Sequence, residues 1–266
     1  MIIFVEDSFP AYAFYPDVFW SPEGLMQLFN KAQITTPFIN VLVIGFWLTV
    51  TLALFGFCSR FSLLALGLIL SLLYAMKMSF GFVNHRESSL IMTVFILSAY
   101  PINRTLSLDR YVFKKLRRPD KKDIYGLLLC LRVLLCIVYC SAAISKLQVG
   151  GLNWVTTSTL QNYLRFCDFT LPTHWSHRFW PHAGFDLAQF TMLCHILAAL
   201  TVIVELTSPL ALFIRRVRYP IILGLLFLQI STLIFLNISF IHLAPLYLAW
   251  LPWEKLFLHS RHKMQS

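Results

Sequence analysis

The chain has 266 residues, of which 58% are hydrophobic, 15% aromatic and 13% charged, and it carries a formal net charge of +10. An ordinary soluble domain carries about 25% charged residues, so this composition excludes a soluble enzyme, a disordered tail and a fibrous protein. It predicts an all-α fold, a polytopic integral membrane helical bundle of about six or seven spans at roughly 20 residues each.

Residues 1–37 alternate polar and aromatic, broken by Pro10, Pro16, Pro22 and Pro37. No basic segment leads into an apolar core there, so no cleavable signal peptide is expected. The segment reads as external or interfacial, with a short interfacial helix from Pro22 to Ala32 that sets Leu25, Leu28 and Phe29 on one face. Spans follow at 38–57, 61–80, 86–100, 124–146, 187–213 and 219–238. The stretch 240–252 ends at Pro252 and barely crosses a bilayer, as a short span or a half-buried helix. A membrane domain over 38–253 and a basic cytoplasmic tail over 254–266 complete the organisation.

The charge lies beside the apolar runs. Eight Lys/Arg fall between Arg104 and Lys122, against Asp109, Asp120 and Asp123, and Arg215, Arg216 and Arg218 precede the sixth span. Such blocks are positive-inside signals and contacts for anionic lipid. Membrane lipids are the predicted partners, and no nucleic acid is, because no basic stretch carries groove-reading companions. Arg60, the 101–123 loop, 215–218 and the tail are therefore expected in the cytoplasm. The N-terminal segment, the 79–86 turn and the 147–186 loop then lie outside. That outer loop holds Trp154, Trp175, Trp180, His174, His177 and His182 and is expected along the headgroups. The expected location is the plasma (bacterial inner) membrane. The cysteines (58, 130, 136, 140, 167 and 194) show no disulfide framework, and Cys136 and Cys140 share a helix face without a His or Asp to complete a metal set.

Ionisable residues inside hydrocarbon are costly and carry information. Arg132 and Glu205 each lie eight residues from the cytoplasmic end of their predicted spans, roughly 12 Å of rise. They are expected to pair across the bundle as a structural ion pair, the alternative being a proton or substrate path. Lys146 closes the fourth span behind the small residues Ser141, Ala142, Ala143 and Ser145, and His85 opens the third. Lys146 either snorkels to the outer headgroups or, desolvated between closely packed helices, serves as a base with His85 as relay. His195, Gln229, Asn237 and His242 line a polar cavity or bond to neighbouring carbonyls. No metal site is predicted.

The series Asn84-His85, Ser107-Leu-Asp109, Ser145-Lys146-Leu147, Asn153-Trp154 and Glu205-Leu-Thr-Ser-Pro209, followed by Arg215-Arg-Val-Arg218, resembles the membrane domain of the vitamin K-dependent γ-carboxylase. Its relatives are the horizontally transferred transmembrane (HTTM) domain proteins. The resemblance runs from about Tyr15 to Trp253, and Phe19-Trp-Ser-Pro-Glu-Gly24 resembles the segment after the family's first helix, so that the chain either lacks that helix or begins at a later start codon. The resemblance implies Lys146 as the base that deprotonates a hydroquinone and His85 as its support. Asn84, Trp154, His195 and Gln229 are the candidate substrate-binding residues, Gln229 standing where the family often has a histidine, and a quinone or hydroquinone is the expected cofactor. The chain stops at Ser266 without the carboxylase's large extracytoplasmic domain, so protein carboxylation is not expected. The expected function is a lysine-base enzyme acting on a membrane-soluble hydroquinone or lipid at the outer face. The alternative is a non-catalytic lipid- or quinone-binding subunit or scaffold, with the 101–123 loop as a docking surface. A transporter is disfavoured for want of an internal repeat.

Overall fold

The computed structural model describes residues 9–81, 87–101, 107–112, 120–170, 180, 182–236, 238 and 240–251. All regular structure among the described residues is helical. The chain divides into two compact units, Met1–Leu131 and Arg132–Ser266.

The first unit opens with single 3-10 turns at Phe9–Phe14, Asp17–Phe19, Gly24–Leu28 and Lys31–Gln33. The interfacial helix expected over Pro22–Ala32 is therefore replaced by two short turns. Gly24 enters at φ +53°, and Phe29 and Asn30 are extended between them, which no continuous helix permits. The segment is tied down through its rings: Tyr12 stacks on Phe80 at 5.3 Å, Met26 and Ile34 are buried, and the Lys31 ammonium donates to the Ala13 carbonyl at 3.0 Å.

Helix α1 (Thr36–Phe55) starts with Thr35, whose hydroxyl accepts from the Phe38 amide, and with Pro37 in its first turn; Gly56 ends it in the left-handed region at φ +66°. Helix α2 (Ser59–Ser79) begins behind Cys58, itself at φ +45°. Ile39, Phe46 and Val50 of α1 and Leu66, Leu70 and Leu73 of α2 form the core of this unit. Helix α3 (Ser88–Ala99) has 12 residues, about 18 Å of rise, and so falls short of the span expected over 86–100.

The N-terminus of α2 is capped from a distance. One Asp109 oxygen, in α4 (Leu108–Val112), accepts from the Cys58 amide at 2.6 Å; the other accepts from the Ser59 amide at 3.0 Å and the Ser59 hydroxyl at 3.2 Å. The Asp109 amide donates back to the Gly56 carbonyl at 3.1 Å. Backbone donors orphaned at a helix start are thereby satisfied, and the aspartate that does it is 2% exposed.

Helix α5 (Lys121–Gly150) runs through the division between the units and is 30 residues long. The second unit continues with α6 (Asn153–Thr156), α7 (Thr159–Thr170), α8 (Ala183–Leu187), α9 (Thr191–Thr207), α10 (Leu210–Phe213), α11 (Arg215–Phe235), a 3-10 turn at Ile241–Leu243 and α12 (Ala244–Leu248). The fifth span expected over 187–213 is shorter as a helix. It stops at Thr207, where Pro209 has no amide hydrogen to continue the ladder. Of the stretch 240–252, the described residues 240–251 hold a turn and a five-residue helix rather than a span. At Gly184 in α8 a Cβ would lie 2.7 Å from the Phe235 carbonyl oxygen and 2.9 Å from that of Leu164, so only glycine fits this crossing.

Among the described residues four helices, α1, α2, α5 and α11, are long and apolar enough to cross a membrane. Their outward faces are apolar: Ile44 and Leu48 on α1, Phe61 on α2, Ile137 on α5, Leu223 and Phe227 on α11 are all exposed.

Candidate functional site

The polar interior of the second unit is organised on one face of α5. The Lys146 ammonium donates to both Glu205 oxygens, at 2.6 Å to Oε1 and 2.5 Å to Oε2. The lysine side chain is 21% exposed and the glutamate 4%. The Trp154 ring of α6 lies 5.7 Å from the ammonium, within cation–π range. The carboxylate and the indole face both attract the cation.

The register that brings these residues together is set one step down the helices. The Cys136 thiol donates to the Ser208 carbonyl at 3.3 Å, and the Ser208 hydroxyl donates to the Cys136 carbonyl at 3.1 Å. Ser208 is thus level with Cys136, whereas Lys146 stands ten residues further along α5, about 15 Å. In an antiparallel pair the gap closes because helical side chains lean toward their own N-termini. Lys146 reaches back along α5 and Glu205 reaches back along α9.

This geometry overturns the expected Arg132–Glu205 pair. Arg132 lies fourteen residues before Lys146 on the same helix, and its side chain leans toward the start of α5, away from Glu205. Its Nε instead donates to the Ala249 carbonyl at 2.8 Å, and its guanidinium lies 5.5 Å from the Trp250 ring centroid. Arg218 of α11 lies 5.9 Å from that ring and donates to the Ala211 carbonyl at 3.1 Å.

Seven residues before Lys146, Tyr139 occupies the same face of α5. Its hydroxyl donates to Gln229 Oε1 at 3.1 Å and lies 2.6 Å from the Tyr247 hydroxyl. The Gln229 amide nitrogen donates in turn to the Phe240 carbonyl. Gln229 was legible as an intramembrane amide, but the two tyrosines were not, because tyrosine is common in membrane helices. The seven-residue spacing from Lys146 was the available signal for Tyr139; Tyr247 carried none.

Asn84, His85, His174, Trp175, His177 and Asn237 lie outside the described residues. His195 sits on α9 with its Nε2 buried and without a hydrogen-bond partner among the described residues. His242 packs near the Phe240 ring at 6.0 Å. In the 147–186 region Trp180 donates to Asp186 at 3.1 Å, and His182 lies 3.5 Å from Asp168. Burial, and then the Asp168 charge beside it, raise the Cys167 thiol above its ordinary range. All six cysteines are free thiols. Among the described residues no three His, Cys, Asp or Glu side chains are grouped to hold a metal.

The described residues thus define an all-α protein with four helices able to cross a membrane and a buried lysine–glutamate pair. Comparison with protein-family models, with curated proteins and with solved structures gives no match.

Proposed function

We propose that this chain is a multi-pass integral membrane protein of the HTTM type, whose Lys146–Glu205 pair receives a proton from a membrane-soluble hydroquinone or lipid carrying an acidic hydroxyl. The observation that carries the reading is the pair itself. A fully paired lysine and glutamate inside an apolar bundle, with the carboxylate 4% and the amine 21% exposed, is costly to hold in hydrocarbon and marks a working site. Lys146 is the partner that a ligand can reach.

The proton balance is simple. The ligand O–H bond breaks and its electron pair stays on oxygen. The proton passes to the pair and comes to rest on Glu205 as a carboxylic acid. Lys146 stays an ammonium and exchanges its carboxylate counter-ion for the new oxyanion. The pair starts neutral and ends with one positive charge, which the ligand anion balances. Trp154, over the ammonium at 5.7 Å, supports the cation in both states.

The test is purification with native lipids followed by mass spectrometry of the bound fraction, comparing wild type with Lys146→Ala. A quinol, phenol or hydroxylated lipid held by wild type and lost from the variant is the expected result. Equal retention in both, or no ligand in either, overturns the reading. The resemblance implies a supporting role for His85, and the same comparison with His85→Ala addresses it.

A second reading draws on a different feature of the same contact. The ammonium meets both carboxylate oxygens, a bidentate geometry suited to a fixed structural element. Under that reading the chain is a lipid- or quinone-binding subunit without turnover. A ligand that co-purifies chemically unchanged after incubation with oxygen and carbon dioxide would favour it.

A further inference from the structure

Beside the ion pair, the Tyr139, Tyr247 and Gln229 side chains form a hydrogen-bonded chain whose direction is fixed. The Gln229 amide nitrogen is committed to the Phe240 carbonyl, which leaves its oxygen facing Tyr139 as a pure acceptor. The Tyr139 hydroxyl has one hydrogen and donates it to that oxygen at 3.1 Å. The contact of 2.6 Å between the two hydroxyls must then be a donation from Tyr247 to Tyr139. The Tyr247 oxygen ends the chain with its hydrogen spent and, among the described residues, no donor to it. Donation through a chain polarises each member and strengthens the acceptor at its head.

Tyr139 is buried, at 5% exposure, and Tyr247 is half-buried, so the residue at the open end is the less enclosed of the two. The chain belongs with the ion pair. Tyr139 is two turns before Lys146 on one helix face, and the Lys146 side chain leans toward it.

We infer that the Tyr247 hydroxyl oxygen is a second recognition point of this site, one that accepts a hydrogen bond from a ligand and so selects apolar molecules bearing a hydroxyl over their ether or carbonyl counterparts. A carbonyl or ether offers no hydrogen. To meet it, Tyr247 would have to turn its own hydrogen outward, which leaves Tyr139 without its donor. The inference rests on the proposed ligand site at Lys146–Glu205 and adds a selectivity to it. Tyr247 is a positioning residue here, distinct from the groups that take the proton.

The test uses 2,6-dihydroxynaphthalene and 6-methoxy-2-naphthol, which both keep one hydroxyl for the ion pair and differ by one hydroxyl hydrogen at the far end, as fluorescent probes of the full-length protein in nanodiscs. Wild type is expected to prefer the diol by about tenfold or more, and Tyr247→Phe to cut that preference by about five- to tenfold, the range of one hydrogen bond to a neutral acceptor. Gln229→Leu is the second variant, for the case in which Tyr247→Phe does not fold. Without the Gln229 oxygen the chain is free to reverse, and the preference should likewise shrink. A preference unchanged in the folded variants but abolished by Lys146→Ala overturns the inference and leaves the proposed function standing. Failure of wild type to bind either probe overturns both.

Discussion

Removing one member of the Lys146–Glu205 pair and removing both are different perturbations. With one partner gone the other is left charged in an apolar interior, and breaking a buried pair in this way costs about 3–5 kcal/mol. Lys146→Met and Glu205→Leu should each lower the unfolding free energy in micelles by about that amount. The combined variant should recover most of the loss, because two apolar side chains of similar volume satisfy the same space. Denaturant titration of the four proteins checks it, and additive losses would contradict it. At Cys167 the sign follows from burial and from the Asp168 charge, which both hold the thiol protonated. Since the thiolate is the nucleophile, alkylation at pH 8 should be slow. Asp168→Asn should speed it several-fold, read by mass spectrometry of the Cys167 peptide.

The helices owe their ends to a few residues. Asp109 supplies three hydrogen bonds to the start of α2 from a position fifty residues away. Asp109→Ala should cost about 1–3 kcal/mol, the scale of a lost cap together with unsatisfied buried amides. The loss should show in hydrogen exchange at Ser59 to Ser62 before it shows elsewhere. Gly184→Ala should be at least as damaging, because both neighbours of the new Cβ would be backbone oxygens; a measured loss under about 0.5 kcal/mol would contradict that. These features also show what a sequence does and does not disclose. The starts of α1, α2, α5 and α11 were legible from apolar runs and flanking charges. The partner of Glu205 was not. Counted in residues from a span end at 213, Glu205 stands level with Arg132. The helix in fact ends at Thr207, and two long side chains leaning along their axes shift the meeting point by about two turns. Asp109 stood in the quoted motif, yet nothing local connects it to Cys58 and Ser59.

Topology is the level at which the charge pattern makes its strongest statement. Helix α5 carries Lys121, Lys122 and Asp123 at its start and leads at its other end to Thr157. In a variant lacking its native cysteines, Lys122→Cys and Thr157→Cys should label from opposite sides of sealed vesicles with a membrane-impermeant thiol reagent. Labelling from the same side would remove α5 as a span. The lengths of the helices carry one more consequence. Helices α1, α2 and α11 have 20 or 21 residues and rise about 30 Å, one hydrocarbon thickness. Helix α5, with 30 residues, rises about 45 Å. Three helices match a bilayer and one overshoots it, so α5 must tilt or project its charged first turn into water as a rigid post. Acyl-chain length then becomes a setting of the protein. A thicker membrane would draw that post inward against the hydration of its lysines, and the resistance would pass along the same helix that carries Lys146.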